Sequence, residues 1–246
     1  MVLVHGAFHG GWCWQRVRPL LERAGQRVYA PSLTGLGDRR HLMSRDVDMD
    51  TFVDDIVNLL EFEELERVVL VGHSFAGRII GLVADRYPQY LAHLVFIDGA
   101  LSGDGRSKLE AMPADRRAER IARAVAFDGG VSVPPPAATA LGLSDPDDIA
   151  WVERRLTPQP LGPDTSRTAL RHELGNGVPA TYLHCVKPEF AGTADAARYA
   201  LNRPDWHYAA IPACHDVMVS APGLLAEHLL AIARTESGSE GGQGRP

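Results

Sequence analysis

The sequence of 246 residues predicts a single α/β domain whose mostly parallel sheet is covered by helices on both faces. Two observations carry this prediction. Short β-branched runs alternate with amphipathic helical patterns along the chain, which is typical of βα units. In addition, 45% of the residues are hydrophobic and 23% are charged, which is enough apolar material for one substantial core.

The first part of the chain supplies strands and helices in alternation. Strands are expected at 1–5, 27–30 and 67–71. Helices are expected at 14–24, at 52–60 and from the residue after Ser74 to Tyr87. The stretch RVVLV at 67–71 is continuously apolar, so it is predicted to be a central strand buried on both faces.

The later part adds strands at 91–98, 179–185 and 206–212 and a last helix at 220–233, with Ser220 as its expected N-cap. Residues 100–177 break the alternation, with helical patterns and proline-rich stretches and no expected strand. Because ligands of open α/β sheets bind beyond the carboxyl ends of the strands, an insertion leaving from Asp98 would cover that crevice as a helical cap. The predicted organisation is therefore a core at 1–99 and 178–235, a cap at 100–177 and a disordered tail at 236–246.

The net charge, the hydropathy and the cysteine content of the sequence restrict which partners and which cellular location are expected. A formal net charge of −6 argues against a surface that binds nucleic acid. No apolar stretch reaches the roughly 18–20 residues that a membrane span needs, and no basic leader precedes the first strand. Three cysteines without paired spacing predict reduced thiols in a cytoplasmic protein. We expect a small-molecule substrate, no nucleic acid and no membrane, and a homodimer is left open.

A serine lies at the junction of a predicted strand and a predicted helix, in the stretch VGHSFAGRII at 71–80. A nucleophilic hydroxyl requires a sharp turn of this kind, and small neighbours let the turn tighten. The pattern reads G-H-S-F-A, with Ala76 in the usual place of the last glycine and Gly77 one residue later. The alternative is an ordinary turn with an incidental serine. We favour Ser74 as a nucleophile, with the Phe75 N–H at the helix N-terminus facing a developing oxyanion.

The glycine-rich stretch HGAFHGGWCW follows the first strand at 5–14. Adjacent strand ends bring such a loop beside the serine, so the Ala7 N–H is the candidate second oxyanion donor. The alternative is a flexible turn. His5 and His9 suggest a metal pair only weakly, because they lie on a glycine loop with no carboxylate nearby. We predict no metal and no cofactor.

A histidine late in the chain supplies the base that serine chemistry requires. His215 lies in PACHDVMVSAP, after the last predicted strand and before the last helix. We choose His215 from the ten histidines as the base. Most of the others are expected on the surface, in strands or in helices, and His73 is the residue directly before Ser74 in the turn.

These motifs together resemble the α/β-hydrolase superfamily, and within it the short-form group of plant methyl salicylate esterases, hydroxynitrile lyases and many bacterial esterases. The resemblance covers nearly the whole chain and lies in VLVHGAFHGGWCW, VVLVGHSFAG, LVFIDGA and the HD before the last helix. It implies an α/β-hydrolase fold, with Ser74 as nucleophile, His215 as base, and Ala7 and Phe75 as oxyanion donors.

The same resemblance separates two chemistries. Hydroxynitrile lyases of the group carry a threonine, a glutamate and a lysine at three positions where this chain has Gly6, His73 and Asp216. Without the lysine, no evident cation would stabilise a leaving cyanide. The comparison favours an esterase.

Enzymes of this family complete a catalytic triad with an acidic residue that orients the histidine. The position of this acid in the present chain departs from the family pattern. Relatives usually carry an aspartate after the strand PATYLHC, whereas this chain reads VKPEF at 186–190. Asp98 is our first choice, since it ends the preceding strand and some members of the superfamily take their acid from that position. Glu189 is the second choice, and the side chain of Asp216 should point away from the base. The alternative for Asp98 is a turn residue that caps the strand.

The predicted function is hydrolysis of a carboxylic ester, or a related acyl bond, of a small and largely apolar molecule through an acyl-enzyme. One alternative is amide or carbamate hydrolysis, or lyase chemistry, on the same triad. Another is a non-catalytic ligand-binding member of the fold. Phe8, Trp12, Trp151 and Met218 are candidate pocket residues, although aromatic residues at such spacings more often belong to the core.

Overall fold

The computed structural model describes residues 1–101 and 105–238, and a parallel sheet of five strands lies at its centre. The strands are β1 (Val2–Val4), β2 (Val68–His73), β3 (Leu91–Ile97), β4 (Ser132–Val133), β5 (Gln159–Pro160), β6 (Ala180–Cys185) and β7 (Trp206–Ile211). The order in the main sheet is β1-β2-β3-β6-β7, with every neighbouring pair parallel. The remaining strands, β4 and β5, form a separate antiparallel pair.

Helices cover both faces of this sheet. They are α1 (Arg18–Arg23), α2 (Met49–Phe62), α3 (Ala76–Arg86), α4 (Lys108–Ala111), α5 (Ala114–Asp128), α6 (Pro146–Glu153), α7 (Gly162–Thr165), α8 (Ala194–Leu201), α9 (Val217–Ser220) and α10 (Pro222–Gly238). Within the described residues, none of these helices is long and apolar enough to cross a membrane.

The core lies on both sides of the sheet because successive strand residues point to opposite faces. Leu70 of β2 belongs to the apolar cluster that includes α2, α3 and α8. Its neighbours Val69 and Val71 belong to the cluster that includes α1 and α10. All six residues of β2 are buried, as the continuous apolar run predicts for a central strand.

The chain changes direction across the sheet between β1 and β2. After β1 it runs outward to Tyr29, which makes a parallel bridge with Val2, and it then returns through α2 to β2. The loops that follow β1 and β2 therefore separate at a topological switch point, where open α/β sheets form their ligand crevice.

Two local predictions in the core are wrong. Residues 27–30 do not form a strand, because only Tyr29 pairs with the β1 region and Pro31 has no N–H with which to continue the pairing. Ser220 is not the N-cap of the last helix. It ends α9, its hydroxyl donates to the Asp216 carbonyl at 3.2 Å, and α10 begins at Pro222, since proline suits the first helical position.

The segment predicted as a cap contains α4 to α7, and the expectation that it holds no strand is wrong. Strands β4 and β5 pair two residues each, with Ser132 opposite Pro160 and Val133 opposite Gln159. Strands of two residues leave no periodic signal in a sequence. Residues 236–238 of the predicted tail lie in α10, and residues 239–246 lie outside the described residues.

Candidate active site

Ser74 lies in a strained turn between β2 and α3. Its φ angle is +52°, in the left-handed region that residues other than glycine rarely adopt. The Ser74 N–H donates to the Ile97 carbonyl at 3.0 Å. The Ser74 carbonyl accepts from the Gly77 N–H at 3.0 Å and from the Ala100 N–H at 2.9 Å. These hydrogen bonds hold the serine at the carboxyl end of β2.

Glycines are required on both sides of this turn. A Cβ atom on Gly72 would lie 2.9 Å from the Ala76 carbonyl oxygen, and one on Gly77 would overlap the Ala100 carbonyl oxygen. Ala76 itself is buried at the start of α3, so its position accepts a methyl group. The strict requirement for glycine therefore falls on residue 77, which explains why alanine is tolerated at residue 76.

Three side chains from separate strand ends meet at this turn. His215 Nε2 lies 2.8 Å from Ser74 Oγ, and His215 Nδ1 lies 2.5 Å from Asp98 Oδ2. Asp98 is fully buried and His215 is 2% exposed. Because an ionised carboxylate only accepts hydrogen bonds, Nδ1 carries the proton and Nε2 faces the serine hydroxyl as an acceptor.

Of the two candidate acids, only Asp98 contacts the base. Its φ angle is +43° and its N–H donates to the Leu183 carbonyl at 2.8 Å, which turns the residue over the end of β3. The Glu189 side chain is 56% exposed, and its Oε1 atom lies 3.5 Å from His184 Nε2. Asp216 makes no hydrogen bond to the His215 ring, and its carboxylate faces His9 instead.

The candidate oxyanion donors lie on either side of the serine. Within residues 1–101 and 105–238, the backbone N–H groups of Ala7 and Phe75 make no hydrogen bond. The Ala7 loop packs directly on the turn, since a Cβ atom on Gly6 would lie 3.0 Å from the Ser74 Cβ atom. Phe75 is the N-cap of α3, where the helix dipole favours negative charge.

Residues of the segment 100–177, called the cap segment after its predicted role, hold the Ala7 loop in place. Phe8 has a φ angle of +68°, and its N–H donates to Gln159 Oε1 at 3.0 Å. Its carbonyl accepts from the Thr157 N–H at 2.9 Å. Gln159 is fully buried in β5. The loop that follows β1 is thus fixed by residues about 150 positions away in the chain.

Phe190 covers one face of the base. Its ring stacks on the His215 ring at a centroid distance of 3.9 Å and an interplanar angle of 23°. Sequence reasoning missed Phe190 and Gln159, and it considered His9 only as a weak metal ligand. An aromatic residue or an amide far away in the chain gives no local signal that it contacts a catalytic loop.

Of the four candidate pocket residues, Trp12, Trp151 and Met218 belong to one apolar cluster, to which Phe8 does not belong. Phe8 is half-buried beside Ala7. The Trp12 ring stacks on His9 at 5.3 Å and meets the Trp151 ring edge-on at 5.1 Å. Met218 is fully buried in the core, so it presents no surface to a ligand.

A cavity of about 860 Å³ lies elsewhere, beneath α4 and beside α8, and none of the four candidates lines it. Its wall combines apolar residues such as Leu101, Met112 and Leu170 with charged ones such as Lys108. Neither Ser74 nor His215 is among the residues that line this cavity.

The parallel strand order, the serine turn and the late histidine loop are those of an α/β hydrolase. The chain belongs to this family: the model of the alpha/beta hydrolase family matches residues 1–228. The chain is 36% identical over 241 residues to a carbendazim hydrolyzing esterase of Nocardioides sp. (strain SG-4G), and this match covers 94% of the chain and 98% of the relative. The protein is therefore a carboxylesterase-like hydrolase that acts on ester bonds.

The chain is also similar to a plant protein over part of its length, and to a solved bacterial structure. Salicylic acid-binding protein 2 of Nicotiana tabacum is 43% identical over 101 residues, which cover 39% of this chain and 37% of that protein. Among solved structures, an extracellular α/β-hydrolase from a Paenibacillus species superposes with a TM-score of 0.79 at 20% identity, covering 94% of this chain and 97% of that one. At 20% identity, the likeness to the Paenibacillus structure shows only that the two proteins share a fold.

Proposed function

We propose that Ser74, His215 and Asp98 form a catalytic triad that hydrolyses a carboxylic ester of a small, largely apolar molecule through an acyl-enzyme. The observation that carries this proposal is the continuous series of contacts at 2.5 Å from Asp98 to His215 and at 2.8 Å from His215 to Ser74. The ester-cleaving relative matched over nearly its whole length supports the reaction class.

The mechanism follows from the geometry. His215 Nε2 takes the hydroxyl proton as Ser74 Oγ attacks the ester carbonyl carbon, and the Ala7 and Phe75 N–H groups stabilise the oxyanion. His215 then gives that proton to the leaving alkoxide oxygen, which departs as the alcohol. In the second half, His215 accepts a proton from water as the water attacks the acyl-enzyme, and the proton returns to Ser74 Oγ. Asp98 stays ionised and holds the proton on Nδ1.

The working location that we propose is the cytoplasm, and the substrate is a free small molecule. Cys13, Cys185 and Cys214 are free thiols and buried, which suits a reducing compartment. Burial also raises the pKa of each of the three thiols, so they are poor nucleophiles and leave the serine as the reactive group.

The test is the Ser74→Ala variant. We expect kcat for p-nitrophenyl acetate to fall by roughly 10⁴-fold or more, because the hydroxyl that forms the acyl-enzyme is gone. A fluorophosphonate should label the wild-type protein at Ser74 and leave the variant unlabelled, and a burst of p-nitrophenol should disappear.

Ser144→Ala is the matched control, since Ser144 is exposed in the loop before α6 and should change neither measurement. Unchanged turnover or labelling in Ser74→Ala would refute the proposal and favour a ligand-binding role. A panel of esters, amides and carbamates on the wild-type enzyme then decides which acyl bond is cleaved fastest.

A further inference from the structure

A buried contact between two side chains joins the Ala7 loop to the His215 loop. His9 Nε2 lies 3.1 Å from Asp216 Oδ2, although the two residues are 207 positions apart in the chain. His9 is 1% exposed and Asp216 is fully buried. The mechanism above uses neither side chain, so a buried ionisable pair beside the triad requires another explanation.

The hydrogen-bond partners of His9 fix its protonation. His9 Nδ1 lies 2.8 Å from the Ala7 carbonyl oxygen, which only accepts, so Nδ1 carries a proton. The contact from Nε2 to Asp216 holds one further proton. If that proton is on the imidazole, His9 is a cation and Asp216 an anion, and both contacts are satisfied as charge-assisted hydrogen bonds.

The surroundings favour this ionic form. Burial lowers the pKa of His9, but the Asp216 carboxylate and the Ala7 carbonyl outweigh burial and raise it above its ordinary value. Burial likewise raises the pKa of Asp216, while His9 and other imidazoles lower it overall. The Trp12 ring stacks on His9 at 5.3 Å, which suits a cationic imidazole.

Among the residues that the structure describes, the other titratable groups that interact electrostatically with one member of the pair are imidazoles and thiols: His5, His73, His215, Cys13, Cys185 and Cys214. Burial lowers the pKa of His73 well below its ordinary value, so this ring is neutral. Across the described ranges, no lysine or arginine forms an ion pair with Asp216. His9 is therefore the charge that balances this buried carboxylate.

The pair is connected to both halves of the catalytic machinery. On one side, His9 Nδ1–H donates to the carbonyl of Ala7, the residue whose N–H is the proposed oxyanion donor. On the other side, Asp216 directly follows His215 in the chain, and the His73 Nε2–H donates to the His215 carbonyl at 2.9 Å. Movement of either loop would misplace a donor or the base relative to Ser74.

We propose that the buried His9–Asp216 ion pair is a positioning element of the active site, which holds the oxyanion loop and the loop of the base in register across Ser74. This inference rests on the proposed serine hydrolysis. It assigns His9 and Asp216 to positioning and not to contact with the substrate, so their loss should lower kcat far more than it changes KM.

The Asp216→Asn variant tests the proposal. We expect kcat for p-nitrophenyl acetate to fall by about 10- to 100-fold with KM changed by less than about 3-fold, because a small displacement of catalytic groups is costly. Fluorophosphonate should still label Ser74 in the variant, more slowly than in the wild type.

The pH profile of kcat separates positioning from a purely structural role. The imidazolium of His9 is present below its raised pKa and is lost above it, so wild-type kcat should fall as pH rises through that value. In the Asp216→Asn variant the carboxylate is gone, so burial keeps His9 neutral at every pH. The kcat of this variant should therefore be lower than that of the wild type and should show no decrease at alkaline pH that is due to His9. A purely structural pair would lower thermal stability and leave the shape of the profile unchanged.

His9→Gln is the second variant, and it should also lose the alkaline fall. Its matched control is His93→Gln, since His93 pairs with Glu236 at 3.0 Å near the start of β3, at the other end of that strand from Asp98. The control should keep the wild-type kcat and profile. Nitrogen NMR of histidine-labelled wild-type protein should show both ring nitrogens of His9 protonated at neutral pH, and this measurement requires no variant.

Wild-type kcat and profile in Asp216→Asn or His9→Gln would overturn the inference, as would an NMR signal of neutral His9. Failure of the proposed function has a different signature, because the wild-type protein would then lack fluorophosphonate labelling at Ser74. A labelled wild type with an unaffected Asp216→Asn variant therefore rejects the positioning role alone.

Discussion

At the scale of the residue, the site depends on side chains in backbone conformations that distant parts of the chain enforce. Phe8, Ser74 and Asp98 all have positive φ angles, of +68°, +52° and +43°. Such conformations cost about 1–3 kcal/mol each and persist where surrounding contacts over-determine them. Here the N–H of each residue donates to an acceptor elsewhere in the fold, namely Gln159 Oε1, the Ile97 carbonyl or the Leu183 carbonyl.

The role of Asp98 is tested by comparing Asp98→Asn with Glu189→Gln. Asparagine would present an N–H to His215 Nδ1 and favour the wrong tautomer of the imidazole, so kcat should fall by about 10⁴-fold. Glu189→Gln is the matched control and should leave kcat within about 2-fold, since an exposed side chain away from the base contributes little. The reverse pattern in steady-state kinetics would identify Glu189 as the acid.

Local sequence patterns at this scale lead to Ser74 and His215, and less directly to Asp98. The serine follows a buried strand and precedes a helix, and the histidine lies in the last loop, so chain position alone indicates them. The hydrogen bond that His215 Nδ1–H donates to Asp98 forms at the ends of β3 and β7, which only the folded sheet brings together. The partner of Asp216 is 207 residues away, so no local pattern predicts that pair.

At the scale of the element, β5 contributes to the active site although it lies outside the main sheet. Gln159 and Thr157 bind the N–H and the carbonyl of Phe8, so a cap segment determines the shape of a core loop. Periodic patterns predict the long strands and helices of the core well. They miss β4 and β5, because strands in which only two residues pair show no periodic pattern. They wrongly predict a strand at 27–30, because strand propensity does not reveal that only Tyr29 pairs with a neighbouring strand.

Gln159→Leu should lower kcat by about 10-fold or more, because it leaves the half-buried Phe8 N–H without its acceptor and releases the Ala7 loop. Gln159→Glu retains an oxygen at the same place and should recover most of the activity. Binding of a boronic acid inhibitor, which mimics the oxyanion intermediate, should weaken in parallel with kcat. If the leucine variant shows wild-type kcat and inhibitor affinity, the Phe8 contact does not shape the oxyanion site.

At the scale of the whole molecule, one buried charge cluster ties the cap segment together. Asp164 of α7 is fully buried, and its carboxylate pairs with Lys108 of α4 at 3.2 Å and with Arg120 of α5. Burial raises the pKa of Asp164, but the two cations outweigh burial and hold it below its ordinary value. The carboxylate therefore stabilises the fold above the ordinary pKa of aspartate, and this contribution is lost as pH falls through the depressed value.

Asp164→Asn should reduce the free energy of unfolding by about 3 kcal/mol at neutral pH, because it leaves two partly buried cations without their anion. The difference in Tm between variant and wild type should shrink as the pH is lowered towards the depressed pKa of Asp164. Asp195→Asn is the control, since Asp195 is 95% exposed and should shift stability by less than about 0.5 kcal/mol. A constant difference across all pH values would contradict this account.

The hydrogen bond between Gln159 of β5 and the Phe8 N–H has a consequence for engineering. Exchange of residues 100–177 for the matching segment of a relative is an obvious route to new selectivity, because Ser74, Asp98 and His215 would all stay with the recipient. A transplanted segment that lacks an amide at residue 159 and a hydroxyl at residue 157 would lose the side-chain hydrogen bonds to Phe8. The Ala7 loop of the recipient would then be less firmly held. Chimeras should therefore be screened with these two positions retained, or a loss of turnover will be mistaken for a change in substrate preference.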